Sequence, residues 1–467
     1  FAPGRIWDSE WDIYFAATWI SDRSEARPAR QSRHERPEKD PCGVPISRER
    51  NIRITREKEA DIGTGFGTLS RPMKLVVLVG DGMGDYPVPS LGDRTPLQAA
   101  SIPTIRRIAA AGRVDRILTV PPELPPGSDV ANLSLLGYNP SLYYSGRAPI
   151  EAAGAGLLLE PNQVAFRCNL VTVENGAMKD YSAGHISTEE AHELIAAVQD
   201  HLGRPGLVFR GGVSYRHLLI WEQGPVDLMT QPPHEISDQL IDPHLPHGAR
   251  HDEARRLMQE SREILRDHPV NRARIAAGKN PATQIWLWGQ GRALHLPSYV
   301  ETFGRSGIVV SAVDLVRGLG LLAGLRAPVI EGATGFLDTN CDNKVQAALD
   351  ALRTDNFAYV HLEAPDECGH MGRADLKTQA IEMFDARIVA PIWKALESAG
   401  APYRLVVAMD HRTPVSKKGH TREPVPVAVL DGPVGAAAHE AAFDEPSTDH
   451  LPATTAHEWM AAQLRAG

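Results

Sequence analysis

The chain has 467 residues, with 49 Lys plus Arg against 58 Asp plus Glu, a formal charge of −9, and 42% apolar but only 6% aromatic residues. This length predicts two or three domains. The balance excludes a collagen-like, coiled-coil or broadly disordered chain, and it argues against a nucleic-acid partner, which a basic excess would announce. No run reaches the ~18–20 apolar residues of a membrane helix, so no membrane partner is expected. Cys42, Cys168, Cys341 and Cys368 are scattered and form no CxxC pair, which makes a reducing, cytoplasmic setting the expectation.

In chain order, residues 1–72 come first and differ from the rest. They hold 13 Lys/Arg and 12 Asp/Glu, and the first methionine is Met73. This segment is expected to be disordered or a mis-extended reading frame without catalytic role, with folded structure starting at Met73. Strands are then predicted at Leu75–Val79, Arg116–Val120, Val164–Thr172, His217–Trp221, Gln284–Trp288, Ile308–Ala312, Ala358–Leu362 and Leu405–Ala408. Helices are predicted at Ile102–Ala111, Thr188–Leu202, Asp252–Asp267, Asn343–Arg353, Asp375–Ala399 and Thr455–Arg465. Alternation of strands and helices predicts an α/β fold, a mostly parallel sheet sandwiched by helices. Residues 159–285, rich in His and Pro turns, read as an inserted smaller α+β domain. The core is then 73–158 and 286–467.

Four motifs sit where predicted strands end, the place where open α/β sheets bind ligands. Gly80-Asp81-Gly82-Met83-Gly84-Asp85 puts a carboxylate directly after a buried strand; a turn Asp is the alternative. Pro126-Gly127-Ser128-Asp129 puts a hydroxyl at a helix start, where a phosphate is stabilised; an N-cap is the alternative. His361-Leu-Glu-Ala-Pro-Asp366-Glu-Cys-Gly-His370 sets Asp366 and His370 one helical turn apart, a donor pair that suits Zn or Mn better than Ca. Cys368 inside it is expected to pack rather than ligate. Asp410-His411, with His420 nine residues later, gives adjacent polar groups that one metal ion would satisfy. Asp81, Ser128, Asp366, His370, Asp410, His411 and His420 divide naturally into two metal sites able to activate an oxygen nucleophile and clamp a phosphoryl group.

These blocks, with Tyr144-Ser-Gly-Arg-Ala-Pro149, Phe166-Arg-Cys-Asn-Leu170, Asp180-Tyr-Ser-Ala-Gly-His185, Trp286-Leu-Trp-Gly-Gln-Gly291 and Gly332-Ala-Thr-Gly335, occur in the same order in one family. From Met73 onward the chain resembles the archaeal-type, 2,3-bisphosphoglycerate-independent phosphoglycerate mutases of the alkaline phosphatase superfamily. The resemblance implies an alkaline-phosphatase-like fold and interconversion of 2- and 3-phosphoglycerate, a small phosphorylated hydroxy acid, through a phosphoserine on Ser128. It implies one divalent ion on Asp81, Ser128, Asp410 and His411 and another on Asp366, His370 and His420. Mn²⁺ is the expected ion, with Mg²⁺, Zn²⁺ or Co²⁺ as alternatives, and no 2,3-bisphosphoglycerate is needed. The inserted domain is expected to hold glycerate while the phosphoryl group rests on serine. Arg147, Arg167 and Arg292 are the substrate-binding candidates and His185 the proton shuttle; Lys344 is a weaker candidate, with a surface lysine at a helix start as the alternative. Arg412 stands where the resemblance leads one to expect Pro or a small residue, which puts the loop carrying His420 in question. Alternatives within the fold are a homoserine-kinase-like phosphotransferase and a metal-dependent phosphatase. The sequence leaves the oligomeric state open.

Overall fold

The computed structural model describes residues 73–435 and 439–465, so the expectations for residues 1–72 lie outside the described residues. Leu75–Val79 is fully buried within the strand Lys74–Gly80. That strand pairs in parallel with Phe357–Leu362 on one side and Tyr403–Ala408 on the other. A strand flanked in this way needs an unbroken apolar run, which is what the sequence supplies.

The main sheet has seven strands in the order Gly307–Val310, Phe357–Leu362, Lys74–Gly80, Tyr403–Ala408, Val425–Gly432, Arg113–Leu118, Ala453–Thr455. Val425–Gly432 runs antiparallel to both neighbours, and the other pairings are parallel. The fold is therefore α/β with a mostly parallel sheet. Val425–Gly432 was not among the predicted strands, because Pro426 makes it read as a loop. Burial of Val425, Val427, Ala428, Val429 and Leu430 outweighs the one missing backbone donor.

The helix predicted over Asp375–Ala399 consists of Ala374–Phe384, a π turn at Asp385–Val389, and Ala390–Ala399. Pro391 offers no N–H to the preceding turn, and the wider turn falls just before it. Gly400, in the left-handed region at φ 61°, ends the run as predicted.

A second sheet is antiparallel throughout, in the order Ala177–Asp180, Gln163–Glu174, Arg216–Glu222, Leu207–Arg210, with Gln284–Arg292 also paired to Gln163–Glu174. It has its own apolar cluster, including Phe166, Leu194, Leu219, Leu257 and Trp286. The expected boundary at 285/286 falls inside Gln284–Arg292. That strand stays with the second sheet to its end, pairing Val171 with Gln284 and Val164 with Arg292. Among the described residues no helix is long and apolar enough to cross a membrane.

Candidate active site

Three neighbouring parallel strands deliver most of the site. Asp81 follows Lys74–Gly80, the helix Ala364–His370 follows Phe357–Leu362, and Asp410 and His411 follow Tyr403–Ala408. Gly82, at φ 59°, lets these ends converge, since a Cβ there would stand 2.5 Å from both Asp366 Oδ1 and Thr413 Oγ1.

Two groups of ligand-type atoms form. In one, Asp366, His411 and His420 lie with their donor atoms within 4.8 Å of one another; in the other, Asp81, His361 and Asp410 do. His370 joins the first group, its Nε2 3.1 Å from Asp366 Oδ2 and 3.0 Å from His420 Nε2. His411 stands between the groups. Its Nε2 is 3.6 Å from Asp81 Oδ1 and 3.4 Å from Asp410 Oδ2, and its ring lies 4.3 Å from that of His420.

Ser128 is the first residue of the helix Ser128–Leu135, and its Oγ lies 3.0 Å from His411 Nε2. The hydroxyl thus sits among free helix N–H groups, beside the acid–imidazole groups. Hydrogen bonding fixes the His411 tautomer. Thr413 Oγ1 donates to the Asp366 carboxylate, so it accepts from His411 Nδ1 at 3.2 Å. His411 Nε2 is left with a lone pair facing Ser128. Asn132, one turn beyond Ser128, donates to Asp410 Oδ2 and to the Ser128 carbonyl, both at 2.9 Å, and accepts from the Tyr359 hydroxyl at 2.5 Å. Asp410 Oδ1 takes the backbone N–H groups of Gly82 and His411 at 2.9 Å.

The electrostatics call for cations. Burial, and then the nearby Asp410 and Asp366 carboxylates, push Asp81 well above the usual carboxylate range, and Asp81 Oδ1 is buried without a hydrogen-bond partner. Burial likewise pushes the His411 imidazole well below its ordinary value. Buried carboxylates beside neutral imidazoles, with one oxygen unsatisfied, fit divalent ions of the Mn or Zn type.

A cationic group lies nearby in the chain. Tyr144 donates to Asp129 Oδ2 at 2.6 Å, which ties the Tyr144–Pro149 block to the residue after Ser128. Arg147 opens the helix Arg147–Gly154, and Glu151 one turn on meets Arg147 Nε and Arg167 Nε, each at 2.9 Å. Arg167 also covers the Trp288 ring at 4.3 Å, and burial lowers its pKa to about 10.

A family model described as 2,3-bisphosphoglycerate-independent phosphoglycerate mutase matches residues 109–271. A protein of that name from Methanosarcina mazei is 48% identical over 376 residues, covering 80% of this chain and 95% of its own. The chain belongs to this family. A probable mutase of the same kind from Geobacter sulfurreducens is 48% identical, over 80% of this chain and 95% of its own. Among solved structures, a Pyrococcus horikoshii protein is 26% identical with a TM-score of 0.68, covering 84% of this chain and 97% of its own. The cofactor-independent phosphoglycerate mutase of Thermoplasma acidophilum is 25% identical with a TM-score of 0.53, covering 84% and 100%.

Against the expectations for a family member, the structure brings Asp81, Ser128, Asp366, His370, Asp410, His411 and His420 to one place. Arg147 and Arg167 meet around Glu151. Arg292 is exposed at the end of its strand, and His185 is exposed, with its ring centroid 6.5 Å from that of Tyr215. Lys344 is not a surface lysine. It is fully buried, and its Nζ donates to the His361 carbonyl at 3.2 Å. Cys368 packs in the core. Arg412 braces the loop that its presence put in question. Its side chain packs on Gly84 and donates to the Pro424 carbonyl at 3.2 Å, while its own carbonyl accepts the Thr421 N–H at 3.0 Å. Sequence reasoning missed His361, Asn132 and Thr413. The i, i+4 spacing of Asn132 from Ser128 was a usable signal; the other two carried none.

Proposed function

We propose that this chain interconverts 2-phosphoglycerate and 3-phosphoglycerate through a phosphoserine on Ser128, without 2,3-bisphosphoglycerate and in a reducing, cytoplasmic setting. The observation that carries this reading is the Ser128 hydroxyl at a helix N-terminus, 3.0 Å from an unprotonated His411 nitrogen and beside an unsatisfied Asp81 oxygen. The names of the family relatives support phosphoglycerate as substrate and do not favour homoserine phosphorylation or simple phosphatase activity.

Asp81, Ser128, Asp410 and His411 would hold one divalent ion, and Asp366, His370 and His420 the other, with Mn²⁺ as the proposed metal. Bound there, the ions supply Lewis-acid charge for an oxygen nucleophile and for the phosphoryl group. The chain's own residues do the rest. Ser128 Oγ gives up its proton to water and bonds phosphorus as the bond from phosphorus to the glycerate oxygen breaks; that oxygen takes a proton, for which His185 is the proposed donor. Glycerate then turns, its other hydroxyl returns a proton to His185 and attacks the phosphoserine, and the bond from phosphorus to Ser128 Oγ breaks, which regenerates the serine. Arg147, Arg167 and Arg292 are the proposed anchors for the substrate's anionic groups. The second sheet with its helices is proposed as the inserted unit that keeps glycerate from escaping and water from reaching the phosphoserine.

The purified protein, given Mn²⁺ and 3-phosphoglycerate alone, is expected to form 2-phosphoglycerate. Ser128→Ala is expected to reduce this to background. Retained activity in Ser128→Ala would eliminate the phosphoserine route. Phosphorylation of homoserine without mutase activity would overturn the substrate.

A further inference from the structure

One buried amide touches both the residue that carries the nucleophile and a proposed metal ligand. Asn132 is fully buried, one turn beyond Ser128 in the helix Ser128–Leu135. Its partners fix the orientation of the amide. The Ser128 carbonyl can only accept, so the atom 2.9 Å from it is Nδ2, and the same nitrogen donates to Asp410 Oδ2 at 2.9 Å. The amide oxygen, Oδ1, is left facing the Tyr359 hydroxyl, which therefore donates. Burial, and then the nearby Asp410 and Asp81 carboxylates, push the Tyr359 phenol well above its ordinary value, so the donated proton stays on the phenol. Tyr359 is itself fully buried in the strand Phe357–Leu362, where it pairs with Val77 on one side and Val309 on the other. The donor at the end of this chain thus stands on an interior strand of the main sheet. The two Asp410 oxygens are unlike. Oδ1 already accepts the backbone N–H groups of Gly82 and His411. Oδ2 accepts from Asn132 and lies 3.4 Å from His411 Nε2. With Oδ1 filled by backbone donors, Oδ2 is the oxygen with acceptor capacity left for an ion.

We infer that Tyr359 and Asn132 are positioning residues: the Tyr359 hydroxyl sets the Asn132 amide, and the amide holds Asp410 Oδ2, the metal-facing oxygen, in register with Ser128. Asn132 is not a ligand, because its nitrogen has no lone pair to give and its oxygen is turned to Tyr359. Without the phenol, Asn132 Oδ1 is a buried acceptor with no donor, and the amide loses the bond that sets its plane. Outer-sphere partners of this type orient a ligating group, and their loss typically costs about 10–100-fold in metal affinity. The inference rests on Asp410 as a metal ligand, proposed above.

The test is Mn²⁺ titration of the full chain by calorimetry, carried through a double-mutant cycle. Wild-type protein that took up no divalent ions would overturn the metal reading, and this inference with it; failure of the inference alone shows only in the variants. With two ions bound by wild type, Asn132→Ala is expected to weaken one of the two sites by about 10–100-fold and to leave the other unchanged. Tyr359→Phe, which removes only the hydroxyl, is expected to weaken the same site by about 10-fold. In the Asn132→Ala background, Tyr359→Phe is expected to cost nothing more, because the phenol acts through the amide. Additive losses would overturn the inference, since Tyr359 would then act by another route. Equal losses at both sites would overturn it as well, by making the effect a general loosening of the fold. If Asn132→Ala does not fold, Tyr359→Phe decides alone, and wild-type affinity in that protein would overturn the inference.

Discussion

In the metal-free protein, His370 holds a proton that an ion bound at the proposed Asp366, His370 and His420 site would have to displace. Burial opposes the charge, but Asp366 at 3.1 Å and the Lys418 carbonyl outweigh it and raise the imidazole from 6.5 to about 9. Metal binding at that proposed site would therefore release this proton. Mn²⁺ affinity is expected to rise with pH up to about 9 and then level off, read by titrations across that range. The sign for stability is the opposite. The contribution of protonated His370 to the metal-free fold is fully present below pH 6.5 and is lost as pH rises through about 9, so metal-free protein should melt earlier on the alkaline side. The Asp366/His370 pair was legible in the sequence because a four-residue spacing has a geometric meaning on a helix. Thr413 was not. Its part is to donate to Asp366 and so decide which nitrogen of His411 carries the proton, and such a choice exists only once two segments distant in sequence meet.

The loops after Lys74–Gly80 and Tyr403–Ala408 are fastened from behind by the helix Ala374–Phe384. Lys377, fully buried, donates from Nζ to the carbonyls of Gly84 and Thr413 and to Asp85 Oδ2, all at 2.8 Å. Burial lowers the lysine pKa, and Asp85 works against that shift. Lys377→Met would strand a buried carboxylate, and breaking such a pair costs about 3–5 kcal/mol. Denaturant unfolding is expected to show a loss of that size, together with weaker metal binding. A Lys377→Met protein as stable as wild type would mean that Asp85 finds water or another donor. Nothing at the sequence level marks Lys377, which reads as one more polar position on an amphipathic helix. The elements themselves were largely legible. Thr188–Leu202 was bounded as predicted, because Ser187 and Glu190 form a capping box. Val425–Gly432 and the π turn escaped for the same reason, a proline whose local meaning is overridden by neighbours distant in sequence.

At the scale of the molecule, the α/β class was readable from the alternation of strands and helices, while the partition between the sheets was not. Trp286 and Trp288 are as apolar as a core strand, and periodicity does not say which sheet a run will join. All the site residues fall between Asp81 and His420. Deleting residues 1–72 is accordingly expected to leave mutase turnover unchanged; an inactive truncation would give that segment a role. The central position of Lys74–Gly80 also bears on the order of assembly. Its hydrogen-bonded neighbours come from the last third of the described chain, and the contact from Gly82 to Asp410 closes a separation of 328 residues. The second sheet, by contrast, draws its strands from one continuous stretch between Gln163 and Arg292. Long closures are the slow steps of folding. During synthesis, the loop carrying Asp81, a proposed metal ligand, emerges early and must wait for nearly the whole chain before its partners arrive, so ion capture at the proposed site would be a late event that reports completion of the fold.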